Sequence, residues 1–158
     1  MEITLRKARK DDCKDILYWR NDLKTRKASF NSQLISFKNH QAWFEKSLVD
    51  SDRYMYIARD KRGKKIGLLR IDRLNKRVAE ININVSPFNR GKGLGGQLLR
   101  KGIQKFIRDN RRAIFIARVK PKNIVSVKVF KKCGFQEILT YMDKRSGCKI
   151  MLLMNCYA

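Results

Sequence analysis

Apolar and polar residues alternate through Val78–Val85, the pattern of a strand with one buried face, and Pro87 ends it. Beyond a glycine-rich stretch the period changes. Leu94, Leu98, Leu99, Ile103, Phe106 and Ile107 recur at helical spacing, which predicts an amphipathic helix from Leu94 onward. The same reading places a first strand at Ile3–Arg6 and a helix capped by Asp11 or Asp12 that runs through Ile16, Leu17 and Trp19. A second helix is expected over Asn39–Val49. Tyr54–Arg59, a turn at Asp60–Lys64 and Ile66–Leu74 read as a long-loop hairpin continuing into Val78–Val85. After the helix that follows the glycines come strand Ala113–Val119, helix Asn123–Lys132, strand Phe135–Met142, a turn at Lys144–Gly147 and strand Lys149–Asn155. No repeat, low-complexity tract or linker interrupts this α/β order, so one domain over residues 1–158 is expected.

The stretch Arg90-Gly91-Lys92-Gly93-Leu94-Gly95, with Gly96 behind it, sits where the unpaired N–H groups of a helix start point outward. Those groups and the positive end of the helix dipole bind phosphate oxygens; glycines let the ligand approach, and Arg90 and Lys92 add charge. Two other nucleotide motifs fail on these letters. Gly91, Gly93 and Gly96 satisfy G-x-G-x-x-G, but the acidic residue wanted about 20 positions on is replaced by Phe115-Ile116-Ala117-Arg118. A P-loop needs Ser or Thr after Gly-Lys, and here Gly93 follows Lys92.

The stretch resembles the acetyl-CoA loop of the GCN5-related N-acetyltransferase (GNAT) superfamily, Arg/Gln-x-x-Gly-x-Gly/Ala, filled by Arg90, Gly93 and Gly95 with Val85-Ser86-Pro87 upstream. A second block, Asn123-x-x-Ser126-x-x-x-Phe130-x-Lys132-x-Gly134-Phe135, is similar to the late motif of that superfamily. The resemblance implies a mixed, mostly antiparallel sheet with flanking helices, splayed about Val85 and Val119 to admit a pantetheine arm. It implies acetyl-CoA as cosubstrate, with contacts from Val85 and from the loop residues Arg90, Gly91, Lys92, Gly93, Leu94, Gly95 and Gly96. Asn123, Ser126 and Phe130 are the contacts implied downstream.

Composition narrows the setting. With 158 residues and 43% hydrophobic content the chain can build a two-layer core. No apolar run reaches the roughly 20 residues of a membrane span and no charged-then-apolar leader opens the chain, so a cytoplasmic protein is expected. Cys13, Cys133, Cys148 and Cys156 lack C-x-x-C spacing and there is one histidine, which argues for free thiols and against a metal site. The formal net charge of +24 suits coenzyme A, a nucleotide-linked substrate or a polynucleotide, unless it reflects solvated lysines alone. The cations Arg100, Lys101, Lys105, Arg108, Arg111 and Arg112 follow a helix and its exit without interleaved aromatics, so no nucleic-acid platform is expected.

Acetyl transfer to an amine needs a neutral nucleophile, a polarised carbonyl and a leaving thiolate. Neutralising a lysine-type amine at neutral pH costs about 4–5 kcal/mol, and an α-amine only about 1. Among just 14 acidic residues, Glu80 stands on the predicted fourth strand, and Ala79-Glu80-Ile81 resembles the stretch that carries the base in histone-acetylating members. A salt-bridged strand carboxylate is the other reading. The resemblance assigns carbonyl polarisation to the Val85 N–H and a pantetheine or water contact to Asn123, which also suits a helix N-cap. Phe130 stands where the family usually has a proton-donating tyrosine, leaving solvent, Ser126 or Tyr141 for the thiolate.

Acceptor recognition is expected in the N-terminal half. Trp19-Arg20-Asn21-Asp22, Arg26, Ser29 and His40-x-x-Trp43-Phe44 resemble the amino-sugar N-acetyltransferases of pseudaminic acid type biosynthesis, which act on a UDP-linked 4-amino sugar. Ribosomal-protein N-terminal acetyltransferases show related positions. His40, Trp43 and Phe44 share a helix face and either stack on a sugar or uracil or pack in the core. Arg20 and Arg26 would neutralise the diphosphate. A +24 enzyme repels basic ribosomal proteins and polyamines, which favours the nucleotide-linked amino sugar among primary-amine acceptors. The remaining alternatives are a protein N-terminal or polyamine acetyltransferase and a non-catalytic acetyl-CoA-binding domain, and homodimerisation stays open.

Overall fold

The computed structural model describes residues 2–110 and 113–156; the cations expected at Arg111 and Arg112 lie outside them, as does the side chain of Cys156. β1 (Thr4–Lys7), β2 (Arg53–Arg59), β3 (Lys65–Arg73) and β4 (Val78–Val85) pair antiparallel in sequence order. β5 (Ile114–Val119) joins β4 in parallel, which requires a crossover, and α4 (Leu94–Asp109) supplies it. β7 (Cys148–Cys156) lies antiparallel between β5 and the edge strand β6 (Gln136–Asp143), so the sheet order is β1-β2-β3-β4-β5-β7-β6. The fold is α/β, with a mostly antiparallel sheet covered by helices on both faces.

Four α-helices besides α4 are present among the described residues; three start at capping side chains, while Asp12, expected with Asp11 as a cap, makes no cap bond to the first of them. α1 (Cys13–Asn21) opens behind Asp12, which is fully buried and accepts from Arg6, Lys65 and the backbone of Arg9. α2 (Leu23–Ala28) buries no residue, so no apolar stripe announces it; it forms where the Asp22 side chain accepts from the Thr25 N–H. α3 (Phe37–Val49) starts at Phe37 rather than Asn39 because Ser36 caps it. α5 (Ile124–Lys132) is capped by Asn123.

One core lies under α4 and α5, where Leu98, Leu99, Ile103 and Phe106 meet Leu69, Ile71, Ile81 and Phe115. The other lies under α1 and α3, where Trp19 and Phe44 meet Met55, Ile57 and Leu68. No described helix is long and apolar enough to cross a membrane.

β4 and β5 diverge. They pair only at Val78↔Ile114, Ala79↔Phe115 and Glu80↔Ile116, so the C-terminal ends of both strands stand apart as the splay expected about Val85 and Val119. Ser86 N donates to Ile66 O at 2.7 Å and Leu74 N to Val78 O at 2.9 Å, which sets the even-numbered residues of β4 toward β3. By alternation Ile83 and Val85, which lie beyond the last paired position, turn their N–H groups toward the gap.

Gly67 lets β3 approach the end of β4, since a Cβ there would stand 2.6 Å from the Asn84 carbonyl oxygen. Gly67→Ala is therefore expected to lower the unfolding free energy by about 1–3 kcal/mol in urea titrations. Burial acts to raise the Asp12 carboxyl, but hydrogen bonds from Arg6, Lys65 and the Arg9 backbone outweigh it and hold it at about 2. A carboxyl depressed in the folded state adds stability above its unfolded pKa and loses it as pH falls. Asp12→Asn should cost about 2 kcal/mol at neutral pH, with the gap from the parent closing as pH drops from about 4 toward 2 in thermal scans.

Candidate active site

A cavity of about 910 Å³ opens at the splay. Val85 and Val119 stand on the diverging strands; Arg90, Gly91, Gly93, Leu94 and Gly95 form its floor; Asn123, Ser126 and Phe130 close it from α5. α1, α2 and α3 supply the opposite wall through Arg20, Lys24, His40 and Trp43. Sequence motifs as far apart as Arg20 and Phe130 thus meet in one space because β4 and β5 part.

The start of α4 is the chemical centre of the floor. α2, α3 and α5 each have one early N–H capped, by Asp22, Ser36 and Asn123, whereas α4, like α1, has no capping side chain, and it opens on Gly93. Gly91 and Gly93 have φ of +76° and +70°, a conformation that side chains resist, and a Cβ on either would project into open space. An uncapped sixteen-residue helix behind an unobstructed glycine turn is a fitting cradle for a pyrophosphate.

Several expected site residues hold other positions. Glu80 does not line the cavity: it is buried, and its two oxygens accept from Arg118 Nε at 3.0 Å and Nη2 at 2.6 Å. The salt-bridged reading of Glu80 is the one this geometry matches, and Arg118, held by Glu80 and raised above its ordinary pKa chiefly by that hydrogen bond, faces the cavity instead. The Arg90 guanidinium, expected on the pyrophosphate, is bonded to Asp22 and Thr25 at 2.6 Å each. Lys92 turns its ammonium back to the Phe88 carbonyl, and neither it nor Gly96 lines the cavity. Phe44 is a core residue, 1% exposed under α3, because the face of a thirteen-residue helix that meets a sheet cannot also face a ligand along its whole width.

His40 lines the cavity wall yet is committed to structure. Its Nε2 lies 3.1 Å from the Cys13 carbonyl, which can only accept, so Nε2 carries the proton. Burial pushes the imidazole below its ordinary pKa and the Arg20 charge acts the same way, so it is neutral near pH 7. Trp43 lies beneath the guanidinium groups of Arg53 and Arg70, at 5.8 and 5.9 Å. Arg20 and Arg26 bind the carbonyls of Asn31 and Ser32, but only Arg20 lines the cavity; Arg26 sits behind the wall. Phe130 is buried edge-on against Phe135, and the Asn123 amide oxygen caps α5 through Ser126 N at 3.2 Å.

Lys24, Arg70, Asn82 and Arg118 also line the cavity and were not anticipated. The signal was present in part: Asn82 and Asn84 alternate with Ile81, Ile83 and Val85, and Arg118 interrupts an apolar strand. Which of these polar residues would face a cavity rather than solvent depends on helices distant in sequence. Among the described residues no cluster of His, Cys, Asp and Glu could hold a metal ion.

The acetyltransferase (GNAT) domain model matches residues 2–136. The chain belongs to the GNAT acetyltransferase family. It is thus an acetyltransferase, an enzyme of a family that uses acetyl-CoA as cosubstrate. The acetyltransferase is similar in fold to spermidine N-acetyltransferase from Vibrio cholerae, solved with CoA and spermine. The identity is 22%, the TM-score 0.85, and the match covers 98% of this chain and 95% of that one. A structure assigned as a phosphinothricin N-acetyltransferase matches at 20% identity with a TM-score of 0.83 over 99% of each chain. A protein from Salmonella typhimurium assigned as an acetyltransferase, solved with its cofactor acetyl-CoA, matches at 21% identity. Its TM-score is 0.78, with coverage of 100% of this chain and 95% of that one. No curated protein sequence matches the chain.

Gly93→Asp tests the cradle. Aspartate tolerates a positive φ better than most side chains, so the fold should hold while its charge opposes the pyrophosphate. Calorimetry is expected to show coenzyme A affinity reduced by about tenfold or more; unchanged affinity in the folded variant would reject the cradle.

Proposed function

We propose that the enzyme transfers the acetyl group of acetyl-CoA to the primary amine of a negatively charged acceptor, a nucleotide-linked amino sugar. The charge of the cavity carries this reading. Arg20, Lys24, Arg70, Arg90 and Arg118 line it, and no Asp or Glu does among the described residues. Arg70, Arg90 and Arg118 are paired with Asp72, Asp22 and Glu80, none of which lines the cavity, but neither Arg20 nor Lys24 has a carboxylate partner among the described residues. Arg20 Nη1 and Asn82 Nδ2 are buried with no hydrogen-bond partner. Each unpaired donor costs about 1–3 kcal/mol, which an oxygen-rich anion would offset. Trp43 adds an apolar surface beside those cations, suited to a sugar or base.

Spermidine, the substrate that gives one structural neighbour its name, is a polycation. In this cavity it would meet five cations and no carboxylate, on a chain of net charge +24. Like-charge contacts of that kind discriminate against a partner. The cavity therefore supports an anionic acceptor over a polyamine.

The ammonium first loses a proton and the neutral amine attacks the thioester carbonyl; a C–N bond forms, the C–S bond breaks, and the net products are the amide, the coenzyme A thiol and one proton. Val85 turns its N–H toward the gap and is placed to polarise the thioester carbonyl. We assign Glu80 to holding Arg118, and proton loss to the field of the cavity: cations around an ammonium disfavour its charged form and raise the neutral fraction. Phe130 offers no proton, and a thiolate of pKa about 8.5 takes one from solvent.

An acceptor screen at fixed acetyl-CoA with free-thiol detection tests the reading. A UDP-linked 4-amino sugar should show a KM at least about tenfold below that of the free sugar, with uridine diphosphate competing against the acceptor. Arg20→Met should raise this KM by about tenfold and leave neutral acceptors nearly unaffected. Turnover of spermidine or peptide N-termini alone would reject the acceptor. Glu80→Gln should raise acceptor KM without moving the midpoint of the pH–rate profile; a moved midpoint would restore Glu80 as the base.

A further inference from the structure

Arg90 leaves the glycine loop and crosses to the acceptor wall. Its Nη1 donates to Asp22 Oδ1 at 2.6 Å, its Nη2 to Thr25 Oγ1 at 2.6 Å and its Nε to the Val85 carbonyl at 3.3 Å. All three nitrogens are thus engaged within the protein, and the pair with Asp22 is about three-quarters shielded from solvent. Asp22 is also the N-cap of α2, so one carboxylate oxygen joins the glycine loop to the helix start.

The segment 29–36 hangs on that same helix pair. Arg20 holds the Asn31 carbonyl at 2.6 Å, Arg26 the Ser32 carbonyl at 3.0 Å, and Asn21 pairs with both backbone groups of Ile35 at 2.8 and 2.9 Å. α2 buries no residue of its own, so apolar packing does not fix it. Polar ties do, and Arg90 is the tie that ends on the glycine loop.

We propose that Arg90 is a positioning residue that couples the glycine loop to the acceptor wall: filling the loop orders α2 and the segment 29–36. Gly91 and Gly93 flank the loop with positive φ, and a ligand on the N–H groups of α4 restrains the backbone that carries Arg90. That restraint passes through two charge-assisted hydrogen bonds to the start of α2, and a wall already ordered costs an acceptor less to bind. The acceptor then binds better to the enzyme already loaded with acetyl-CoA. The inference rests on coenzyme A occupying the glycine loop and is independent of what the acceptor is.

Hydrogen exchange on the full-length protein, with and without saturating coenzyme A, tests the coupling. In the parent protein coenzyme A should slow exchange at residues 23–30 by about threefold or more, together with residues 94–97. Asp22→Asn keeps an N-cap oxygen for Thr25 but removes the charge that Arg90 needs. In that variant residues 94–97 should still be protected while residues 23–30 exchange as in the ligand-free protein. Arg90→Met, which keeps the apolar stem, should behave alike and bind coenzyme A within about threefold of the parent by calorimetry. Equal protection of residues 23–30 in parent and Asp22→Asn would overturn the coupling. So would an affinity loss beyond about tenfold in Arg90→Met, which would return Arg90 to the pyrophosphate. Failure of coenzyme A to protect residues 94–97 in the parent would instead count against the glycine loop.

Discussion

The parting of β4 from β5 after three paired residues is the constraint on which the site depends. A fully paired sheet would bury the N–H groups of Ile83 and Val85 in a ladder; the fork leaves them facing the cavity. The ion pair of Glu80 and Arg118 sits at its base, since Glu80 belongs to the last paired position and Arg118 lies two residues beyond the partner of Glu80. A buried carboxylate deprived of its guanidinium is strongly unfavourable, so the pair holds the point of divergence while presenting Arg118 to the cavity. β5 keeps its order because its other edge is paired with β7 along its full length.

The same fork decides how charge is used. The chain is carboxylate-poor, and the acids nearest the cavity are engaged one by one: Glu80 by Arg118, Asp22 by Arg90, and Asp72 by Arg70 and Arg53. What faces the cavity is therefore the cationic partner in each pair. An interior of that sign attracts phosphate groups and weakens the hold of an ammonium on its proton, and both effects fit the anionic acceptor we propose for acetyl transfer from acetyl-CoA. Arg90, at the head of the glycine loop, turns its guanidinium to Asp22 and Thr25, and the start of α4 carries no capping side chain.

Much of this was legible in the sequence because it depends on short-range pattern. The alternation of Val78–Val85, the helical period from Leu94 and the N-cap at Asn123 reappear as β4, α4 and the start of α5, since burial of one face and satisfaction of a helix end are local requirements. α2 was invisible because it buries nothing and rests on a single capping aspartate. The roles of Glu80, Arg90 and Phe44 could not be read from spacing, because each depends on a partner or surface remote in the chain: Arg118 lies 38 positions from Glu80, and Asp22 lies 68 from Arg90.

By itself, then, the sequence determined the elements, their order, the family and the glycine turn that opens α4, all consequences of periodicity and of residues within a few positions of one another. Only the tertiary structure decided which charged side chains face the cavity and which are consumed in pairs. A carboxylate or guanidinium takes its function from whichever opposite charge the fold brings within about 3 Å, and that distance is set by packing between elements and not by separation along the chain.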